Sequence, residues 1–267
     1  MSKPGERDVV FITRGGRGFG RAMALAFAAN GDAVTIMARS QRELDDTAAT
    51  AAATGGQILA VTGDVTKAAD VARAVAATEE SFGAVSLLIH NAGVWSGIGP
   101  LWVVDTEKWW WDQKVHVLGA VNLIKATVPA MVNRGEGRVI IVSSIGARQM
   151  VPNGSSYPIS KASQIQVAAH LAEEGREHGV SAFSIHPGGF LTQLVKDVVN
   201  SPEAQRWIPG FGKRSQRDPR PPEEREAETM NKCAQLCMAL ASGRYDGLSG
   251  QFLTPDDDLD ALLALAK

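Results

Sequence analysis

Short apolar runs rich in branched residues alternate along this chain with longer alanine-rich stretches whose apolar positions recur at helical spacing. The runs 8–13, 33–38, 57–61, 86–90, 138–143, 181–186 and 250–253 read as strands. The stretches 17–30, 41–54, 67–82, 106–134, 155–178 and 222–242 read as helices between them. Strands that are apolar almost without alternation, each followed by a helix, predict a parallel sheet covered on both faces. Right-handed crossovers then give an α/β doubly wound, Rossmann-type sheet of about seven strands. No repeat or linker divides the chain, so residues 1–267 are expected to form one domain. The one long irregular piece, 188–222, is broken by Pro202, Pro209, Gly210, Gly212, Pro219 and Pro221 and follows the sixth strand. It is read as a substrate lid.

With 267 residues, 45% hydrophobic and 21% charged, the chain can bury a full core without disulfides or metals. A net charge of -2 offers no basic field for nucleic acid or an anionic membrane. Cys233 and Cys237 lie four apart and read as apolar positions on a buried helix face. The first eight residues are polar, and no segment is read as long enough to span a bilayer. The expectation is a cytoplasmic protein in a reducing compartment. No HExxH or CxxC spacing suggests zinc, and no GxSxG turn suggests a serine hydrolase.

Candidate chemistry gathers where strands end. The segment Thr13-Arg-Gly-Gly-Arg-Gly-Phe-Gly20 follows the first strand and opens the first helix. Such a glycine turn lets backbone approach a pyrophosphate at a helix N-terminus; it also serves simply to join strand to helix. About twenty residues on, where a carboxylate would hold a ribose 2′-hydroxyl, the chain has Ala38-Arg39-Ser40. Arg39, with Arg17, is suited to a 2′-phosphate and favours NADP(H) over NAD(H). Asp64-Val65 and Asn91-Ala92-Gly93 end the third and fourth strands. Tyr157 and Lys161 are four apart, hence neighbours on a helix, where an ammonium is expected to lower the phenol's pKa for acid/base work. Ser144 ends the fifth strand and can meet a substrate oxygen.

TRGGRGFG, DV, NAG, the serine of VSS, YPISK and PGGFLT stand in the order and spacing of the short-chain dehydrogenases/reductases, and the resemblance spans about Asp8 to Leu253. It implies Tyr157 as general acid/base, Lys161 as its tuner and a nicotinamide-ribose contact, and Ser144 as the group orienting a carbonyl. It implies cofactor contacts from Thr13, Gly15, Arg17, Gly18, Phe19, Asp64, Val65, Asn91, Ala92 and Gly93, and from Pro187, Gly188, Phe190 and Thr192 around the nicotinamide amide. The implied reaction interconverts a carbonyl and a secondary alcohol by hydride transfer with NADP(H).

Three positions depart from the family pattern. Arg14 stands where the first glycine belongs; it is expected to weaken dinucleotide binding without abolishing it, or to add a cation near the phosphates. His116 replaces an asparagine that helps hold a water in the proton relay to the lysine. It either keeps that relay or serves as packing. His90 precedes Asn91 and is given no chemistry. Arg14 and His116 keep open a non-redox enzyme (an isomerase, dehydratase or cyclase), and an NADP(H)-sensing binding protein is the other alternative.

Trp95, Gln149, Leu194, Trp207 and Phe211 are read as the pocket wall, fitting an apolar or aromatic ketone, or merely as residues that hold the lid down. Arg148 and Lys196 are near enough in the sequence to meet an acidic group. Trp109-Trp110-Trp111 span most of a helix circumference, so at least one indole is expected off the core face. Because family members commonly pair through the fifth and sixth helices, a homodimer or homotetramer is expected.

Overall fold

The computed structural model describes residues 7–189, 192–211 and 220–266. They build a parallel sheet of seven strands in the order β3-β2-β1-β4-β5-β6-β7. The strands are β1 (Val9–Thr13), β2 (Ala33–Ala38), β3 (Gln57–Thr62), β4 (Leu87–His90), β5 (Gly137–Val142), β6 (Val180–Ile185) and β7 (Phe252–Leu253). The helices are α1 (Gly18–Ala29), α2 (Gln41–Ala52), α3 (Ala68–Phe82), α4 (Thr106–Gln113), α5 (Gly119–Arg134), α6 (Ser156–Gly175), α7 (Gln193–Val199), α8 (Pro202–Trp207), α9 (Pro222–Ala241) and α10 (Leu259–Leu265).

β1, β4 and β5 are buried along their whole length, which is why their sequences lack a polar alternation. Two apolar layers cover the sheet. One joins Ile12, Ile36, Ile89, Ile140 and Phe183 to Met23 and Phe27 of α1 and to Cys233, Cys237 and Leu240 of α9. The other joins Phe11, Leu88, Val139 and Ile141 to α3, α5 and α6 through Val71, Leu123, Met131 and Ala168. Burial of more than twenty apolar side chains in each layer is the main force assembling the fold. The strand order reverses between β1 and β4, so the loops after these strands diverge and leave a crevice at their C-terminal ends.

Three expectations need correction. The stretch 188–222 is not irregular throughout: α7 and α8 lie within it, each started by a hydroxyl cap, Thr192 to the Val195 amide and Ser201 to the Ala204 amide. Both helices are too short to show a period above the prolines around them. The helix read over 106–134 is continuous but carries a π-helical turn, Lys114–Leu118, where the Gly119 amide bonds Lys114 O. The extra residue turns His116 inward, and it is fully buried. Contrary to expectation, this 29-residue helix is long and apolar enough to cross a membrane. It carries buried Asp112, Gln113 and His116 and faces the sheet with Leu123 and Met131, the pattern of a core helix.

Candidate active site

The glycine turn begins with a strained residue. Arg14 has φ 55°, a left-handed backbone that costs a side-chain-bearing residue roughly 1–2 kcal/mol. Its amide bonds Met37 O at 2.6 Å, tying the turn to the end of β2. A β-carbon on Gly20 would fall 2.2 Å from the Arg14 carbonyl, and one on Gly15 would fall 2.3 Å from Ile36 Cγ2, so neither position admits a side chain. Gly18 has nothing within 4 Å of where its β-carbon would be, and α1 starts with no side-chain cap. An open glycine, no side-chain cap and no acidic residue in the first turn of α1 fit a phosphate group.

Thr13 and Gly15 do not line the crevice. Thr13 is fully buried, its Oγ1 accepting the amides of Asn91 and Ala92 at 2.9 Å each and donating to His90 Nδ1 at 3.3 Å. It welds the glycine turn to the segment after β4, a supporting place rather than a contact. Arg17, Gly18, Phe19, Arg39, Asp64, Val65, Asn91, Ala92 and Gly93 line the crevice. Arg17 pairs with Glu43 at 3.7 Å, a carboxylate the sequence did not single out.

At the other end, Ser144, Tyr157 and Lys161 share one cavity with Pro187, Gly188 and Thr192; Phe190 lies outside the described residues. Ser144 follows β5 by two residues, and α6, starting at Ser156, brings Tyr157 and Lys161 against it. The Ser144 hydroxyl accepts the Gly146 amide at 3.0 Å and lies close enough to the phenol to favour its ionised form. The indole of Trp95 stacks on the Tyr157 ring, 5.0 Å between centroids and 22° between planes, and Phe211 meets Trp95 edge-on at 4.9 Å. Asp112 holds the loop that carries Trp95, accepting the Ser96 amide at 3.0 Å, the Gly97 amide at 3.1 Å and the Ser156 hydroxyl at 2.6 Å.

Lys161 is buried. Its Nζ donates to Val142 O and Gln164 Oε1, both at 2.9 Å, and burial, then the Arg14 charge, lower its pKa to about 7. The expected lowering of the phenol by this lysine is not found. Burial raises the Tyr157 pKa, while Ser144 and Arg14 pull it back.

His116 does not reach the cavity. The Val94 amide donates to its Nε2 at 3.0 Å, so Nδ1 carries the proton and donates to Ser160 Oγ at 2.6 Å. Burial and the Lys161 charge keep it neutral. Its carbonyl accepts from His90 Nε2 at 3.2 Å and from Gln164 Nε2 at 3.0 Å. His116 is a support behind Tyr157, 5.6 Å between ring centroids and outside the cavity lining. His90, given no chemistry from sequence, is the link between that support and Thr13.

The wall residues Trp95, Leu194 and Phe211 line the cavity, together with Ile145 and Val195. Trp207 instead packs beneath them in a small cluster with Ile98 and Val198. Gln149 is exposed, and Arg148 sits over the Phe252 ring at 4.6 Å, away from the cavity. Lys196 is also exposed and outside the lining. Asp112 and Gln164 were missed from sequence, although each leaves a signal: a carboxylate four residues before His116 and an amide three after Lys161, on shared helix faces.

The model of the short chain dehydrogenase family matches residues 8–203. The chain belongs to the short-chain dehydrogenases/reductases. It is 29% identical over 264 residues to the short chain dehydrogenase mpl6 of Monascus purpureus, covering 96% of this chain and 82% of the relative. It is 34% identical over 194 residues to dehydrogenase/reductase SDR family member 4 of Sus scrofa, covering 72% of this chain and 69% of the relative. A solved gluconate 5-dehydrogenase of Burkholderia cenocepacia J2315, in complex with NADP and tartrate, superposes with a TM-score of 0.78 at 25% identity and covers 96% of each chain. This family member is thus a dehydrogenase/reductase of the Rossmann type that works with a nicotinamide cofactor.

A lowered lysine pKa has a stability consequence with a definite sign. Between about pH 7 and its ordinary value of 10.5, Lys161 holds a proton in the unfolded chain that it has given up in the folded one. Folding stability therefore rises with pH across that window. Relative to Lys161→Met, the parent protein is expected to gain about 4 kcal/mol between pH 7 and 10, at 1.36 kcal/mol per pH unit. Urea unfolding of both proteins across that range measures the difference, and parallel stability profiles would contradict the lowering.

Proposed function

We propose that this reductase interconverts an apolar or aromatic ketone and its secondary alcohol with NADP(H), Tyr157 moving the proton. The observation that carries this reading is the meeting of Ser144, Tyr157 and Lys161 in one cavity that borders the glycine-turn crevice at Arg14, Arg17 and Gly93. When bound, the nicotinamide cofactor supplies or accepts the hydride at the carbonyl carbon. Ser144 donates a hydrogen bond to the carbonyl oxygen, and the Tyr157 phenol gives that oxygen its proton as negative charge develops. In the oxidative direction the same phenol, ionised, takes the proton back. Lys161 stands beside the Tyr157 ring, 5.5 Å from its centroid, held by Val142 O and Gln164 Oε1, while Ser144 and Arg14 favour the ionised phenol.

The preference for NADP(H) rests on Arg17 and Arg39, which line the adenosine end together with Ser40, while no carboxylate occupies position 39. Glu43, paired with Arg17, is the carboxylate that favours the competing reading, NAD(H). Trp95, Ile145, Leu194, Val195 and Phe211 make the wall beside Tyr157 apolar, which supports a ketone without charge near the reacting carbon. A homodimer or larger homo-oligomer is part of the proposal. Trp110, Leu118, Val121 and Ile159 are 54%, 42%, 38% and 43% exposed along the helices after β4 and β5, an apolar face suited to a second copy.

Three measurements test these points. NADPH oxidation with a panel of aryl and alkyl ketones is expected to show turnover that Tyr157→Phe reduces at least about a thousandfold while NADPH still binds. Turnover of a substrate without any change in NADPH would assign a non-redox reaction instead. Arg39→Ala is expected to weaken NADPH about tenfold and leave NADH within about threefold, read by calorimetry; equal losses would remove the 2′-phosphate reading. Light scattering at micromolar concentration is expected to give at least twice the chain mass, and a monomer would remove the assembly.

A further inference from the structure

The crevice is not one continuous groove, and the residue that interrupts it is the one that departs furthest from the family pattern. Arg14 Nη1 donates to the carbonyl of Gly93 at 2.5 Å, reaching from the turn after β1 to the segment after β4. Arg14, Arg17 and Gly93 border both cavities. On one side lie Arg39, Ser40, Asp64 and Val65, and on the other Ser144, Tyr157 and Lys161.

We propose that Arg14 determines whether a dinucleotide can bind, its side chain clasping Gly93 so that one molecule reaches both halves of the crevice only after the clasp lets go. This rests on the reading of the crevice as a nicotinamide-dinucleotide site.

The main chain cannot carry Arg14 aside. Its amide is held by Met37 O, and its carbonyl lies so close to Gly20 that a β-carbon there would be 2.2 Å away. Release therefore comes from the side chain's own torsions. The guanidinium is held by a neutral carbonyl at 2.5 Å, and Gly93 itself is backed by His116 and Lys161. From the surrounding elements Arg17 repels it, as does Lys161 when protonated, while Glu43 and Asp197 attract it and the Tyr157 phenol is uncharged at neutral pH. Burial and Arg17 lower its pKa to about 10, which leaves it charged at neutral pH.

A ligand that ends before Gly93 leaves the clasp alone, whereas a ligand that continues past it competes with Gly93 for the same space and the same donor. Adenosine 2′,5′-bisphosphate is the first kind of ligand and NADPH the second. Arg14 is thereby a specificity-determining residue, discriminating against whole dinucleotides at the boundary between the two cavities it borders.

Calorimetry with adenosine 2′,5′-bisphosphate, NADPH and NADH on the parent protein and Arg14→Ala tests this. Alanine keeps a β-carbon at the left-handed position, so it removes the clasp without removing the backbone strain. The expected result is NADPH and NADH each bound about fivefold tighter or more by Arg14→Ala, with the bisphosphate unchanged within about twofold. Arg14→Gly repeats the comparison should the alanine protein fail to fold, with the same expectation. Weaker dinucleotide binding in the variants would make Arg14 a phosphate ligand and overturn the clasp, as would equal shifts for all three compounds. If the parent protein ignores the bisphosphate but NADH still tightens on substitution, the clasp stands and the NADP(H) preference falls. If neither protein binds any dinucleotide, the clasp is overturned together with the reading beneath it.

Discussion

The Lys161 ammonium lies almost out of water with Val142 O and Gln164 Oε1 for partners, and several elements are shaped by the need to keep it there. Taking a cation from water costs several kcal/mol unless good acceptors meet it, so the end of β5 and the side of α6 are held at fixed positions by this one group. Gln164 turns its amide onward to the carbonyl of His116, which the π-helical turn has brought inward, and His90 shares that carbonyl. From His90 the bonds run through Thr13 to the amides of Asn91 and Ala92. Reactive end and glycine turn are therefore parts of one hydrogen-bonded body. A change at either end is felt at the other through neutral imidazoles that hold no charge of their own.

The second organising constraint is topological. Because every strand runs the same way, all loops that follow strands lie on one edge of the sheet, and the order reversal beside β1 opens them there. Residues as far apart as Arg17, Asp64, Asn91, Ser144 and Thr192 reach a common crevice for that reason alone. Within it, Asp112 fixes the loop that presents Trp95, and Trp95 covers the Tyr157 ring while meeting Phe211 from beyond α8. The segment after β6 and the phenol are thus in contact through a single indole.

Much of this was legible in the chain because it is written locally. Apolar runs marked all seven strands, and the glycine turn, Asp64-Val65, Asn91-Ala92-Gly93, Ser144 and the Tyr157–Lys161 pair marked the crevice. What escaped was non-local or short. Asp112 acts on Ser96, Gly97 and Ser156, and Gln164 reaches on to the His116 carbonyl, partners in distant segments that no local spacing names. The π-helical turn adds one residue to an apolar helix, a shift too small to disturb its period. α7 and α8 span seven and six residues between prolines and glycines, below the length at which helical spacing shows. The phenol's raised pKa came from burial, a property no spacing records.

The account stands on the claim that a nicotinamide cofactor lies across this crevice with its reactive ring against Tyr157, Ser144 and Lys161. A crystal structure of the protein with NADPH tests that most directly. The account predicts the nicotinamide within contact of Tyr157, the 2′-phosphate against Arg17 and Arg39, and the Arg14 guanidinium released from Gly93 O. NADPH bound elsewhere, or bound with its ring away from Tyr157 and Lys161, would contradict it.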